Sequence, residues 1–217
     1  MKRGYVFSFE LLYWLYITNI FANGWTGRKE GKGEVLLLKK MVVLIGMPGS
    51  GKSTVGRILS QELGVPFIDT DRLIIDREGM PLAEIQTQKG MKYFMEAEEN
   101  ALLSMDDSPK IVATGGSAIL HEHAMTYLTY VSKVVFLDTE LRTLTRRIGD
   151  PKRRGVVLGK TQTIPSVFFE RRPLYLRYAD IRLKVRHGRP KDVAEMVKKK
   201  LIEDGILENE EKDGKNG

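Results

Sequence analysis

The chain has 217 residues, 42% of them hydrophobic, which is enough to build the core of one domain. It contains no cysteine, and this excludes a disulfide framework, a thiolate nucleophile and a cysteine-ligated zinc site. The net charge of +7 suits nucleic acids or membrane surfaces, but it suits equally a protein whose substrates are polyanionic nucleotides. The three histidines have no metal-ligand spacing; they are His121, His123 and His187. Composition therefore favours a one-domain enzyme of the reducing cytoplasm.

The two ends of the chain differ in composition from its middle. Residues 7–21 are apolar and aromatic, but Glu10 interrupts them, and the run is shorter than the ~20 residues of a membrane span. We therefore predict no membrane segment, and we interpret residues 1–40 as a non-core extension or as sequence upstream of a true start at Met41. Residues 204–217 are charged and spaced by glycines, which predicts a disordered tail and leaves residues 41–203 as the domain.

Strand-like and helix-like segments alternate through this domain. Residues 41–45 form a continuous apolar run typical of a strand buried on both faces, and a helical pattern of apolar residues follows. Similar reasoning predicts strands at 66–71, 110–114, 133–138 and 179–185, and helices within 71–105, at 140–147 and at 191–202. The alternation predicts an α/β fold, with a five-stranded parallel sheet, helices on both faces and ligands at the carboxyl ends of the strands.

A phosphate-binding loop is predicted at residues 46–53, where the letters GMPGSGKS match G-x-x-x-x-G-K-[ST] between the first strand and the first helix. Glycines let backbone N–H groups turn toward a phosphate, and the helix N-terminus adds a positive dipole. We expect Lys52 to reach the β and γ phosphates of ATP, Ser53 to bind Mg²⁺ and Thr54 to contact another phosphate oxygen. The predicted nucleotide-binding residues of this segment are Gly46, Gly49, Ser50, Gly51, Lys52, Ser53 and Thr54.

Two further segments suit an acceptor site. Asp69 and Asp71 lie two apart at the end of a predicted strand, so both point to one side of the backbone, unless one merely caps the next helix. Gly115 and Gly116 end the third strand, where a small hydroxylated ligand could lie against bare backbone amides; a plain turn is the alternative.

Arginines cluster around a glycine and a proline at residues 146–155. This composition favours a lid, at about 149–164, that closes over ATP and excludes water; a solvated basic loop is the alternative. Arg154 is the candidate for stabilising charge on the transferring phosphoryl group.

Across about residues 41–202 the chain resembles the shikimate kinase family. The resemblance rests on motifs in a fixed order: GMPGSGKSTVGR at 46–57, FIDTD at 67–71, GMPLAEI at 79–85, ATGG at 113–116, the arginines of 146–154, and ERRPLY at 170–175. It implies a fold like that of the P-loop nucleoside monophosphate kinases, with a lid. The implied activity is ATP-dependent phosphorylation of a hydroxyl on a small metabolite, namely shikimate to shikimate 3-phosphate, or on a different acceptor.

The resemblance also implies residue roles. Asp69 would hold Mg²⁺ through water, and Asp71 would orient or deprotonate the attacking hydroxyl. Arg147 would lie beside the nucleotide, Arg154 near both phosphate and acceptor, and Arg171 on a substrate carboxylate. The resulting catalytic set is Lys52, Asp71 and Arg154, and the substrate-binding set is Asp71, Gly115, Gly116 and Arg171.

Two residues depart from the family's pattern. The family carries F-R-x-x-E where this chain has Phe-Met95-Glu-Ala-Glu98, so one cation for the substrate carboxylate is missing and Glu98 lacks its partner. Lys92, one helical turn earlier, is a candidate to compensate. Ser117 replaces the family's third glycine and adds a hydroxyl beside the acceptor. We expect phosphoryl transfer to be retained, while these two departures leave the identity of the acceptor open.

Two other functions compete with the kinase. A nucleic-acid ATPase is suggested by the basic charge and by the strand ending at Asp138, which looks like a Walker B strand, although capping of the next helix is a sufficient role for Asp138. A non-catalytic relative is suggested by Met95 and Ser117. We predict instead a monomer with a small hydroxylated acceptor, and no nucleic-acid or membrane partner.

Overall fold

The computed structural model describes residues 36–149, 162–186 and 188–209. The strands are β1 (Leu36–Leu38), β2 (Met41–Ile45), β3 (Phe67–Asp69), β4 (Ile111–Ala113), β5 (Ser132–Thr139), β6 (Ile181–Val185) and β7 (Leu207–Asn209). The α-helices are α1 (Lys52–Leu63), α2 (Thr70–Glu78), α3 (Leu82–Gln88), α4 (Met91–Leu103), α5 (Glu122–Val131), α6 (Leu141–Ile148), α7 (Ile164–Tyr178) and α8 (Pro190–Glu203), and a 3₁₀ turn spans Ala118–Leu120.

Five strands form one sheet in the order β3-β4-β2-β5-β6, and every neighbouring pair is parallel. The central strand β2 is buried along its whole length. Met41, Val43 and Ile45 join the core on one face, whereas Val42 and Leu44 join the core on the other face. This two-sided burial explains why β2 is continuously apolar. The predicted α/β fold with a five-stranded parallel sheet is confirmed.

A second sheet of two short strands joins the two ends of the described chain. Strands β1 and β7 pair antiparallel, with Leu38 opposite Leu207, and both side chains are buried. The predicted domain boundaries, at 41 and 203, each leave out one of these strands. Each strand has only three residues, and an apolar run this short next to charged residues is too weak a pattern to predict a strand. The rest of the predicted extension and tail, residues 1–35 and 210–217, lies outside the described residues.

Sequence patterns did not predict helices α5 and α7. Helix α7 contains Pro173 in its interior, and a proline inside a helical pattern normally signals the end of a helix. The helix forms nonetheless, because Tyr175 and Tyr178 beyond the proline are buried against the core. Helix α7 matters for function, because it places Arg171 in the wall of the cavity described below.

Helices long and apolar enough to cross a membrane do not occur among the described residues. The apolar run at 7–21 lies outside them.

Candidate active site

A cavity of about 540 Å³ opens at the carboxyl ends of the parallel strands. Its size suits a small-molecule site. The polar and charged side chains in its wall come from six different parts of the chain; they are Ser50, Lys52, Ser53, Thr54, Asp71, Glu98, Thr114, Ser117, Arg147 and Arg171. Most of the residues predicted from separate motifs therefore share one cavity.

The loop between β2 and α1 has the geometry of a phosphate cradle. Gly46, Gly49 and Gly51 have φ values of 146°, 78° and 103°, which side-chain-bearing residues rarely adopt. Helix α1 begins without a side-chain cap, so its first N–H groups are available to an anion. The buried Ser50 hydroxyl has no hydrogen-bond partner among the described residues. Since buried polar groups normally have partners, the cradle fits the phosphates of a nucleotide.

Lys52 is buried at the centre of this cradle. Its Nζ donates to the carbonyls of Gly46 at 2.7 Å and of Met47 at 3.1 Å. Burial lowers the pKa of Lys52 to about 8, although the nearby carboxylates of Asp71 and Asp69 raise it and partly offset the burial. The lysine thus stays mostly protonated at neutral pH in a site with little water to screen its charge.

Arg147 lies against the same loop. Its Nη1 donates to the Gly49 carbonyl at 3.3 Å, and it reaches the loop because α6 ends beside it. Ser53 and Thr54 sit in the first turn of α1 and line the cavity. The cation and the two hydroxyls therefore surround the cradle.

Asp69 and Asp71 lie on either side of the junction between β3 and α2. The prediction that both belong to one strand and point to the same side of it is wrong for Asp71. Strand β3 ends at Asp69 and α2 begins at Thr70, so Asp71 lies in the first helical turn. The Asp69 carboxylate caps this helix and accepts from the backbone N–H of Arg72 at 3.4 Å. The capping alternative thus applies to Asp69, and Asp71 is the one that lines the cavity.

The carboxyl group of Asp71 has an unusual proton affinity. Burial raises the pKa of Asp71 to about 7, with further increases from the Asp69 and Glu98 charges and a partial decrease from Lys52. A carboxylate whose pKa lies near neutrality is suited to accept a proton from a hydroxyl. The cavity therefore holds a base candidate beside a cation.

Gly115 and Gly116 are required for packing, which differs from the predicted reason. A Cβ atom at Gly115 would lie 2.2 Å from Glu98 Oε1 and 2.8 Å from Asp71 Oδ1, and one at Gly116 would lie 2.5 Å from Pro48. The Gly115 N–H donates to the Thr70 hydroxyl at 3.2 Å. The carboxylates of Glu98 and Asp71 thus occupy the space in which a side chain at Gly115 would lie. Of the two glycines, only Gly116 lines the cavity.

Arg171 projects from α7 into the cavity and is buried. Its Nη1 donates to the Gly116 carbonyl at 3.1 Å, and the hydroxyl of Tyr175 donates to the same oxygen at 2.6 Å. Tyr175 is fully buried and stacks on Phe136 with a centroid separation of 5.0 Å. Burial raises the pKa of Tyr175 above its usual range, so this hydroxyl remains a donor. Sequence reasoning gave Tyr175 no role, because only the fold brings it to Gly116.

The predicted compensation by Lys92 is wrong. Its side chain is 93% exposed and lies 3.9 Å from the carboxylate of Glu96 on the same helix. Met95 is half-buried and packs against the core. The positive charge expected near Glu98 is therefore not supplied by Lys92.

Asp138 is the centre of an ion-pair cluster, so neither of its predicted roles holds. Its two carboxylate oxygens accept from Arg172 at 3.1 and 2.9 Å, and Oδ2 also accepts from Arg182 at 2.8 Å. It does not line the cavity, and the N-cap position of α6 is occupied by Glu140. A carboxylate held by two guanidinium groups is not free to serve a Walker B function.

We expect Asp138→Asn to lower the free energy of unfolding by about 1–3 kcal/mol, because both arginines lose a charged acceptor. Burial alone would raise the pKa of Asp138, but the two arginines outweigh it and the pKa is lowered. The stabilisation is therefore present at neutral pH and is lost as the pH falls through this lowered value. Urea unfolding at pH 7 measures it, with Glu140→Gln, which breaks an exposed pair with Arg186, as the control. A loss of kcat without a loss of stability would instead restore the Walker B role.

Arg154 and the predicted lid at about 149–164 lie largely outside the described residues, as does His187. Their predicted roles stay predictions.

Comparison with known proteins identifies similar chains. The family model described as shikimate kinase matches residues 48–202. A shikimate kinase from Sulfurihydrogenibium sp. is 34% identical over 163 residues, which cover 75% of this chain and 98% of the relative. The structure of shikimate kinase from Acinetobacter baumannii in complex with shikimate matches with a TM-score of 0.70 and 27% identity, and covers 76% of this chain and 94% of that one. For shikimate kinase from Aquifex aeolicus the TM-score is 0.66 at 31% identity, with 76% and 98% covered.

Proposed function

Because the chain belongs to the shikimate kinase family, we propose that it transfers the γ-phosphoryl group of ATP to the 3-hydroxyl of shikimate, a step in aromatic amino acid biosynthesis. The observation that carries the proposal is the presence of Lys52 and Asp71 in one cavity beside a phosphate cradle. The Acinetobacter relative whose structure contains shikimate supports the choice of acceptor.

The nucleotide end of the cavity fits ATP. The cradle at residues 46–53 offers backbone N–H groups, the partnerless Ser50 hydroxyl and the Lys52 ammonium to phosphate oxygens. Arg147 would lie beside the nucleotide. The Ser53 hydroxyl would hold Mg²⁺ directly. The Asp69 carboxylate, which caps α2 and does not line the cavity, would hold the ion through water. When bound there, the ion would supply positive charge that offsets the negative charge developing on the phosphate oxygens.

The acceptor end fits a small hydroxy acid. The Arg171 guanidinium supplies a fork suited to the substrate carboxylate, and the Gly116 carbonyl holds that arginine in place. Asp71 lines the same cavity as Lys52 and the phosphate-binding loop. A hydroxy acid bound by Arg171 would therefore present a hydroxyl between Asp71 and the phosphates.

The transfer step follows from this arrangement. Asp71 takes the proton of the attacking hydroxyl. As it does so, the hydroxyl oxygen forms a bond to the γ-phosphorus, and the bond between that phosphorus and the bridging oxygen of the β-phosphate breaks. Lys52 stabilises the charge that accumulates on the phosphate oxygens, and Arg154 is proposed to do the same from the lid. The products are ADP and shikimate 3-phosphate.

We extend the proposal to the setting of the enzyme. It acts as a monomer in the cytoplasm on a small-molecule substrate, without a nucleic-acid or membrane partner.

A second candidate function is a kinase for a different small hydroxylated acceptor. Met95 favours it, because the family's second cation for the substrate carboxylate is replaced by a half-buried apolar side chain that packs against the core. Under this alternative the nucleotide end is unchanged and the acceptor end prefers a compound without a carboxylate.

We expect the full chain with ATP and Mg²⁺ to release ADP in the presence of shikimate at a rate at least about 10²-fold above the rate without acceptor. The comparison compounds are the methyl ester of shikimate, carboxylate-free polyols, sugars and hydroxy amino acids. Turnover of an uncharged compound but not of shikimate would favour the second candidate. ADP release that responds to DNA or RNA and not to any small acceptor would contradict both.

A further inference from the structure

Glu98 is a buried carboxylate that lies in the wall of the candidate active site. It belongs to the inner face of α4 and is 0% exposed. Its Oε1 approaches Gly115, and its charge contributes to the raised pKa of Asp71. The position of this carboxylate therefore influences both the loop after β4 and the base candidate.

Each oxygen of Glu98 has its own donor. The hydroxyl of Ser117 donates to Oε1 at 2.9 Å, and the Nε2 atom of His121 lies 2.9 Å from Oε2. Because a carboxylate oxygen accepts, the imidazole donates through Nε2. Both donors are buried, and they follow β4 on either side of the 3₁₀ turn.

The two departures from the family's pattern meet at this carboxylate. Met95 lies one helical turn before Glu98, so the arginine that the family carries there would lie next to Glu98. Ser117 stands where the family has glycine, and it is one of the two donors to Glu98. A buried carboxylate that loses its charged partner is costly unless other donors satisfy it. The hydroxyl and the imidazole meet that requirement.

We propose that Ser117 and His121 replace the missing arginine of position 95 as the groups that hold Glu98, and that they act as positioning residues for acceptor binding. Glu98, held in this way, fills the space beside Gly115, the chain neighbour of Gly116, and the Gly116 carbonyl in turn orients Arg171. Arg171, on α7, then binds the acceptor carboxylate. The inference rests on the proposed shikimate kinase activity.

The first test compares His121→Leu with His121→Gln in the full chain. Loss of one hydrogen bond to a charged group is expected to raise the KM for shikimate about tenfold in His121→Leu, with the KM for ATP unchanged. His121→Gln keeps an N–H donor and should recover most of the affinity. The matched control is His123→Leu, because the His123 side chain is 80% exposed and lies 3.9 Å from Glu99. Equal KM values for His121→Leu and His123→Leu would overturn the proposal.

The second test restores the family's pair. Combining Met95→Arg with Ser117→Gly should rescue the KM for shikimate in His121→Leu, because the arginine then supplies the charge at Glu98. Ser117→Gly alone removes only a small group and should fold, and it is expected to raise the same KM several-fold. Unchanged KM in Ser117→Gly, or no rescue by the pair, would contradict the proposal.

Thermal unfolding separates this inference from the proposed function. If the wild-type chain fails to phosphorylate shikimate, the proposed function fails. The role of the donors is then judged by Tm, which should fall in His121→Leu, stay near the wild-type value in His121→Gln and His123→Leu, and recover with Met95→Arg. A Tm for His121→Leu equal to that for His123→Leu would show that the imidazole does not hold Glu98.

Discussion

Lys52→Met is expected to reduce kcat with shikimate by about 10³-fold or more. The substitution keeps the unbranched apolar part of the side chain and removes the only lysine in the cavity wall of the described residues. Because that lysine is buried, little water screens the positive charge that it directs at the phosphate oxygens. Water therefore cannot replace this charge when the lysine is removed. Steady-state ADP release with saturating ATP and shikimate measures the effect.

Lys92→Met is the matched control for this experiment. The two changes are chemically identical, but the Lys92 side chain is 93% exposed and pairs only with Glu96 among the contacts described for it. We expect kcat and the KM for shikimate to stay within about twofold of wild type. A large rise in the KM for shikimate in Lys92→Met would restore the compensating role predicted from sequence. A wild-type kcat in Lys52→Met would contradict the proposed function.

Asp71→Asn is expected to have two opposite effects: a loss of kcat by about 10²–10⁴-fold and a gain in stability above neutral pH. The first follows because asparagine cannot accept the proton of the attacking hydroxyl. The second follows because burial and neighbouring charges raise the pKa of Asp71 from 3.8 to about 7. Between these two values the folded protein keeps a proton that the unfolded chain releases, so stability falls as the pH rises through this window.

The stability gain is measured as the difference in Tm between Asp71→Asn and wild type from pH 4 to pH 8, without ligands. Converted to a free energy of unfolding, this difference should be near zero at pH 4, grow through the window and level off above pH 7 at on the order of 4 kcal/mol, because each unit of pKa shift corresponds to about 1.4 kcal/mol. The control is Asp76→Asn on the same helix, where an exposed carboxylate pairs with Arg72. A Tm for Asp71→Asn below wild type at pH 8 would show that the ionised carboxylate stabilises the fold.

Functions carried by contiguous segments were predictable from the sequence. Residues 46–53 combine glycines, a lysine and a serine within one loop, and the left-handed φ values that such glycines permit are found at Gly46, Gly49 and Gly51. The apolar run of β2 needs burial on both faces, and this requirement together with the alternation of elements led to the parallel sheet. In both cases the signal that allows the prediction is a pattern of residue types within one short segment.

Contacts between distant residues were not predictable in the same way. Arg172 and Arg182 pair with Asp138 from α7 and β6, and no local pattern distinguishes such a carboxylate from a helix cap or a metal ligand. Likewise, Lys92 and Met95 lie on one helix, but only packing decides that the lysine faces solvent and the methionine faces the core.

The sequence by itself determined the fold class, the phosphate cradle and the kinase family, because each is encoded by residue types at fixed short spacings. Only the tertiary structure decided how the acceptor end is built. Gly115 lacks a side chain because the carboxylates of Glu98 and Asp71 occupy that space, and Glu98 is satisfied by donors 19 and 23 residues away. Such a buried carboxylate must find its partners wherever the packed elements bring them, and the chain folds α4 and the segment after β4 together to supply Ser117 and His121.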